Sequence, residues 1–353
     1  MKLHSSRTRN AMDRTRTCLG LGLWVGLILS PPTWGGELKR YEFTGTEMAT
    51  PIKLLLYTNS DETANTAANT VFRRIHYLNT LFSDYDGTSE LRRLCDNAVP
   101  GRSVRVTNEL FEVLLASRGV FNASEGAFDV SVGPLIKLWR RARRREAMPL
   151  PDALEEAKSV VGFHLLTLNA DNRTVSLAKT GMRIDLGGIA KGYAVDDALR
   201  VLREYRITRA LVDMGGDMAM GGPPPDKAGW TVGVAGFEPD SPPRLLLTLA
   251  NTAIATSGDQ LQFVEIDGKR YSHILDPRTG TPLMDHGMVT VIAPSATMAD
   301  ALASAVSVMG PQEGIALIDR FPGTSALILR KPGEEVEEYA SQRWPKRADE
   351  NAR

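Results

Sequence analysis

One stretch constrains the chain more than any other: Ala255 to Pro282, ATSGDQLQFVEIDGKRYSHILDPRTGTP. It opens on the small-residue turn Thr256-Ser257-Gly258-Asp259, and strand character runs from Leu261 to Ile266. Asp267-Gly268 then supplies the positive φ angles of a tight hairpin. The return strand, Arg270 to Leu275, carries Tyr271, Ser272 and His273 into the polar loop Asp276-Pro277-Arg278-Thr279-Gly280. A hydroxyl, an imidazole, a carboxylate and a guanidinium are thereby delivered to one short rim. An ordinary hairpin with a polar tip has the same signature, so the rest of the chain must decide between them.

The 353 residues allow one large domain or two ordinary ones, and a hydrophobic content of 42% suits a globular chain with a sizeable core. The formal net charge is zero, so no global field points to nucleic acid or to a membrane surface. The start of the chain is different. Lys2, Arg7, Arg9, Arg14 and Arg16 face only Asp13 in residues 1–36, a net of +4 that leaves −4 for the remainder. An apolar run from Cys18 to Leu29 follows, then Pro31-Pro32 and Thr33-Trp34-Gly35-Gly36. A basic segment, a short apolar run and small residues form a secretory signal. The run is short for a spanning helix, which needs about 20 residues, so an uncleaved membrane anchor ranks second. Cys18 opens the apolar run and is badly placed for lipid attachment. Cleavage would leave Cys95 alone, without an internal disulfide. The expected organisation is a signal or anchor at 1–36, one domain at 37–340, and a polar tail at 341–353.

Arg40 to Thr58 reads as strand. Ala64, Ala68, Val71, Ile75, Leu78 and Phe82 then step by four and three, the stripe of a helix capped by Ser60 or Asp61. Short helices are expected from Ser89-Glu90 and from Asn108 to about Ser117, and a short strand between the glycines of Glu125–Leu135. Arg140 to Arg145 holds five arginines in six residues, which reads as a solvated face or loop, with a phosphate patch the minority alternative. After a helix from Asp152 to Gly162 and two strands, Asp185-Leu186 ends a strand. Gly187-Gly188 turns it into a helix whose first turn holds Lys191, a cation that opposes the helix dipole unless an anion is bound. A strand at Ala210–Met214 turns through Gly215-Gly216-Asp217, and a last helix spans about Met298 to Met309. On it, Asp300 and Ser304 are four apart and share a face, a pairing that suits a hard divalent cation but occurs on ordinary helices too. Strands and helices without regular βαβ alternation argue a single α+β domain.

Taken together, these stretches resemble the ApbE family, the FAD:protein FMN transferases, from about Met48 to Asp319. The likeness rests on motifs in the family's order. They are Met48 and Thr50, Phe82-Ser83-x-Tyr85 with Ser89-Glu90-Leu91, and Gly126-Ala127-Phe128-Asp129 with Val132-Gly133-Pro134-Leu135. Next come Asp185-Leu186 with Ile189-Ala190-Lys191-Gly192-Tyr193, Gly215-Gly216-Asp217 and Thr256-Ser257-Gly258-Asp259. Ser272-His273-Ile274 with Asp276-Pro277-Arg278-Thr279-Gly280, and Ala299 to Ala305, complete the series. The resemblance implies an ApbE-like, T-fold-related α+β domain in the bacterial periplasm or cell envelope, with possible attachment to the membrane through its N-terminus. It implies an enzyme that uses Mg²⁺ and FAD, moves FMN onto a threonine or serine of a target flavoprotein, and releases AMP. Met48, Tyr85, Ala127, Phe128, Asp129, Asp185, Lys191, His273 and Ile274 would contact FAD. Mg²⁺ would sit among the Gly188 carbonyl, Asp300 and Ser304, with Ala303 adjoining. His273 is the expected general base and Asp276 its orienting partner. Ser304 stands where the family usually has threonine, Ala49 where glycine is usual, and the arginine run after Trp139 has no place in the pattern. Two other functions use the same residues: an FAD pyrophosphatase, with water replacing the acceptor hydroxyl, and a flavin carrier without chemistry. Envelope electron-transfer subunits are the class of target that the family suggests.

Overall fold

The computed structural model describes residues 37–237, 241–258 and 263–345. The expected signal segment at 1–36, Asp259, Leu261 and the chain beyond 345 lie outside the described residues.

Its centre is an eight-stranded sheet, antiparallel at every pairing, whose spatial order is the order of the chain. The strands are Lys39–Glu47, Thr50–Thr58, Ala210–Met214, Asp217–Met220, Thr252–Gly258, His286–Ala293, Ser325–Lys331 and Glu337–Ala340. A long excursion between the second and third strands contains α1 (Asp61–Phe82), α2 (Glu90–Asp96), α3 (Asn108–Ala123), α4 (Gly133–Arg145), α5 (Pro151–Lys158) and α6 (Ala190–Glu204). The hairpin Phe263–Ile266/Lys269–Ser272 is inserted between the fifth and sixth strands. Between the sixth and seventh lie α7 (Ala296–Met309) and α8 (Pro311–Asp319).

The period-two pattern of the strands builds two cores. Ile52, Leu54, Leu56, Val212, Ala253, Ala255, Val289 and Val291 point to the face covered by α1, α6 and α7. Leu211, Ile254, Met288, Ile292, Leu327 and Leu329 point the other way, onto a hairpin of Trp230–Val234 with Leu245–Leu249. A third cluster joins α4 to the inserted hairpin through Leu135, Trp139, Ile266, Tyr271 and Leu275. The α1 stripe is buried as its spacing predicts, and Ser60 caps the helix by accepting from the Thr63 amide at 3.1 Å.

Four expectations are corrected. The single strand over Arg40–Thr58 is two strands, joined by Met48 and Ala49 with φ of 50° and 55°. A two-residue hairpin with both centres left-handed normally signals itself with glycine or asparagine, and neither is present. The segment Glu125–Leu135 makes only an isolated bridge, Val132 to Arg183, before Gly133 begins α4, so the arginine run is helical. Gly133 is required there, because a Cβ would lie 2.7 Å from the Arg183 carbonyl oxygen. α3 continues past Ser117 to Ala123. The expected tail from 341 is in part folded. The amide of buried Ser341 donates to the Ala326 carbonyl and its hydroxyl accepts from the Ala326 amide, both at 2.9 Å, and Arg343 donates to the Thr324 carbonyl at 2.9 Å and that of Phe321 at 3.0 Å.

α6 crosses α7 closely. A Cβ at Gly192 would stand 2.2 Å from the Ala296 carbonyl oxygen and 2.9 Å from the Asp300 Cβ. Gly192→Ala should therefore destabilise the fold by about 3 kcal/mol through overpacking. Gly119 is exposed within α3 and a Cβ there meets nothing within 4 Å. Gly119→Ala should stabilise by about 1 kcal/mol. Urea unfolding checks both: the midpoints should move in opposite directions at unchanged slope.

Candidate active site

A cavity of about 430 Å³ opens where the end of Thr252–Gly258, the starts of α4 and α6, one face of α7 and the inserted hairpin converge. Tyr85, Ala127, Phe128, Asp129, Asp185, Gly188, Lys191, His273, Ile274, Asp300 and Ser304 all line it. The structure thus gathers residues more than two hundred positions apart, from nearly every motif.

Asp300 and Ser304 stand one turn apart on α7. The Asp300 carboxylate is buried and its Oδ2 accepts the Gly192 N–H at 3.1 Å. Burial pushes its carboxyl above the usual range, against the opposing charge of Lys191 and the Gly192 hydrogen bond. Gly188 faces this pair across a narrow gap: a Cβ on it would lie 2.7 Å from Ser304 Oγ and 3.3 Å from the Phe128 ring. Only glycine lets the backbone approach so closely. Lys191, in the first turn of α6, is ion-paired with the buried carboxylate of Asp217, from the Gly-Gly-Asp turn.

Arg140 of α4, which also lines the cavity, joins Asp84 and Asp185, the latter at 3.0 Å, and its guanidinium lies 4.5 Å over the Tyr85 ring. Tyr85 is still 77% exposed. The Asp185 carboxyl is raised mainly by burial and further by Asp84, with Arg140 acting the other way. Arg140 is the residue that sequence reasoning missed. Its signal was the spacing Val132, Ile136, Trp139/Arg140, Arg143, a helical stripe that lines the cavity. Asp129 also lines the cavity, yet its Oδ1 accepts from the Ser131 amide at 2.7 Å and its Oδ2 from the Phe163 amide at 2.9 Å. It ties two loops together beneath the site.

Three expected residues are placed elsewhere. Asp276 gives both carboxylate oxygens to Arg278, with Oδ1 accepting the Arg278 backbone N–H at 2.9 Å, so it closes its own loop outside the cavity lining. Met48 packs against the main core at the hairpin turn, outside the cavity lining. Ala303 is fully buried in that same core, and Ser304 alone of the two reaches the cavity. A larger recess, about 600 Å³, lies over α1, α3 and α6 and contains only Tyr193 of the motif residues.

The model of the ApbE family matches residues 48–328. An FAD:protein FMN transferase of Treponema pallidum is 33% identical over 329 residues, covering 88% of this chain and 90% of the relative. The flavin transferase ApbE of Vibrio cholerae superposes with a TM-score of 0.77 at 28% identity, over 86% of this chain and 98% of that one. An ApbE protein of Thermotoga maritima does so with a TM-score of 0.76 at 32% identity, over 85% and 97%.

Arg140→Gln should leave Asp185 a largely buried carboxylate without its cation. Because the folded-state pKa of Asp185 is raised, its contribution to stability is full below the ordinary carboxylate range and is lost as pH rises through the raised value. The variant raises it further. Its deficit against wild type should be small at acid pH and grow towards neutrality, to about 2 kcal/mol, between the scales of an exposed and a fully buried pair. Denaturant midpoints across pH measure this, and a pH-independent deficit would contradict it.

Proposed function

The chain belongs to the ApbE family, and from that premise we propose how its cavity works. It is an enzyme that transfers the FMN moiety of FAD to a target protein. The acceptor, in this proposal, is a threonine or serine hydroxyl. Its oxygen attacks the FMN phosphorus, the bond from that phosphorus to the bridging pyrophosphate oxygen breaks, AMP leaves with the bridging oxygen, and a phosphoester remains.

The observation that carries this reading is the meeting of Asp300, Ser304 and Gly188 beside Lys191, in a cavity that His273 also lines. Among the described residues no three His, Cys, Asp or Glu side chains cluster as a metal site. The donors that Mg²⁺ would use are of another kind: one carboxylate, a hydroxyl and a backbone carbonyl, all oxygen, as a hard cation prefers. They fit. Asp300 is a deeply buried carboxylate with no fully neutralising partner, and the glycine at 188 leaves space beside Ser304 Oγ that a Cβ would fill. Bound there, Mg²⁺ would neutralise pyrophosphate charge and polarise the phosphorus. Lys191, oriented by Asp217, supports the same charge from the α6 N-terminus. His273, exposed on the cavity rim, takes the proton of the incoming hydroxyl. Tyr85, Phe128 and Ile274 offer the apolar surface for the ring systems.

The basic and apolar start of the chain supports export, so we place the enzyme in the cell envelope, acting on an envelope electron-transfer flavoprotein. N-terminal sequencing of envelope-fraction protein should begin near residue 36; a full-length N-terminus in the cytoplasm would exclude export.

Asp300→Ala should abolish transfer and remove Mg²⁺ binding measured by calorimetry with FAD present. Ser304→Thr should retain both, and Ser304→Val should lose both. His273→Asn should slow transfer by about a hundred- to ten-thousand-fold while FAD still binds. Intact mass of the acceptor reads the transfer, and flavin fluorescence the binding. Unchanged activity in His273→Asn would give the proton to another group.

A further inference from the structure

The five arginines of α4 are not equivalent. Arg140 is neutralised by Asp84 and Asp185 inside the cavity. Lys137, Arg141, Arg143, Arg144 and Arg145 are exposed, and among the described residues none has an acidic partner. Helical spacing orders them. Lys137, Arg141 and Arg145 are four apart, as are Arg140 and Arg144, so the basic stripe begins at the cavity wall and turns outward round the helix. Arg143 itself lines the cavity.

Like charges at i,i+4 repel, and only the last turn gains from the helix dipole. The stripe is therefore an uncompensated feature of the free protein. It is also a local one, because residues 37–353 carry a net charge of −4. An acceptor protein that brings a hydroxyl into the cavity must cover its mouth, and α4 forms part of that mouth. We propose that the outer face of α4, Lys137, Arg141, Arg144 and Arg145, is a docking surface for an acidic patch of the acceptor protein beside its flavin-accepting hydroxyl. The charge pairing steers the acceptor and fixes its approach without touching FAD. This rests on the transferase reading above.

The test uses the full chain loaded with FAD and two dye-labelled peptides of equal length. Each carries one threonine, flanked in one by Asp and Glu and in the other by Ser and Gln. Fluorescence anisotropy should show binding of the acidic peptide that weakens as salt rises, and far weaker binding of the neutral one. The triple variant Arg141→Gln, Arg144→Gln, Arg145→Gln should lose about tenfold in affinity for the acidic peptide, at about half a kcal/mol for each exposed charge. None of the three lines the cavity, so the variant should bind FAD as wild type does, by flavin fluorescence. Loss of FAD binding in the wild type would fault the flavin reading instead. Equal affinity for both peptides, or an unchanged triple variant, would overturn the docking face. So would an arginine-dependent preference for phosphatidylcholine vesicles containing phosphatidylglycerol over the acidic peptide, which would assign the face to a lipid surface.

Discussion

The site depends on how closely α6 and α7 cross. At Gly192 the helices touch backbone to backbone, and the Gly192 amide donates to Asp300. One turn further along α6, Asp196 accepts from the Ala296 and Thr297 amides, both at 2.8 Å, and from the Thr297 hydroxyl at 2.6 Å. A carboxylate on the first turn of α7 satisfies orphan donors and complements the helix dipole. These two contacts fix α7 along its axis and in rotation. Asp300 and Ser304 are carried into the cavity by that placement, and Gly188, just before α6, is brought opposite them by the same packing.

The carboxylates around the cavity look alike in sequence and differ in what surrounds them. Asp129 is buried but engaged by loop amides, so it holds structure. Asp217 is buried and paired to Lys191, so it aims a cation. Asp185 shares Arg140 with Asp84. Asp300 has one backbone donor and a lysine already committed elsewhere, so its charge is the least compensated of the four. Burying a charge without a partner is costly. The hole in the charge balance therefore lies at Asp300, close to Gly188, whose missing Cβ leaves space beside Ser304 Oγ.

Much of this was legible in the sequence where local physics and tertiary packing agree. The α1 stripe, the Ser60 cap, the Asp267-Gly268 hairpin and the helix start after Gly187-Gly188 fall where residue spacing puts them, whereas the strand expected to end at Asp185-Leu186 is reduced to the single bridge of Arg183 to Val132. The motif resemblance brought the cavity residues together before any geometry did. What escaped was decided by tertiary contacts. Met48 and Ala49 hold left-handed backbone without a turn residue, because the nine-residue register of the flanking strands forces it. α4 was obscured by its Gly-Pro start and by a run of arginines that looked like solvated loop. Its apolar side, Leu135, Trp139 and Ala142, is narrow because the helix packs on a small cluster shared with α5 and the inserted hairpin. Asp276 and Arg278 are two residues apart and satisfy each other, a local contact that the apparent proximity of Asp276 to His273 concealed.

α7 also explains why its composition is so rich in alanine. Ala296, Ala299, Ala301, Ala303 and Ala305 are fully buried, which lets the helix lie close against the sheet on one side and α6 on another. The remaining stripe, Asp300, Ser304 and Val308, steps by four along the cavity. At about 1.5 Å per residue it spans roughly 12 Å. Along that length the wall changes from carboxylate to hydroxyl to hydrocarbon. One face of a single helix thus presents both the oxygen donors of the cavity and a patch of its apolar wall, and the close crossing with α6 that places Asp300 places the rest of that face with it.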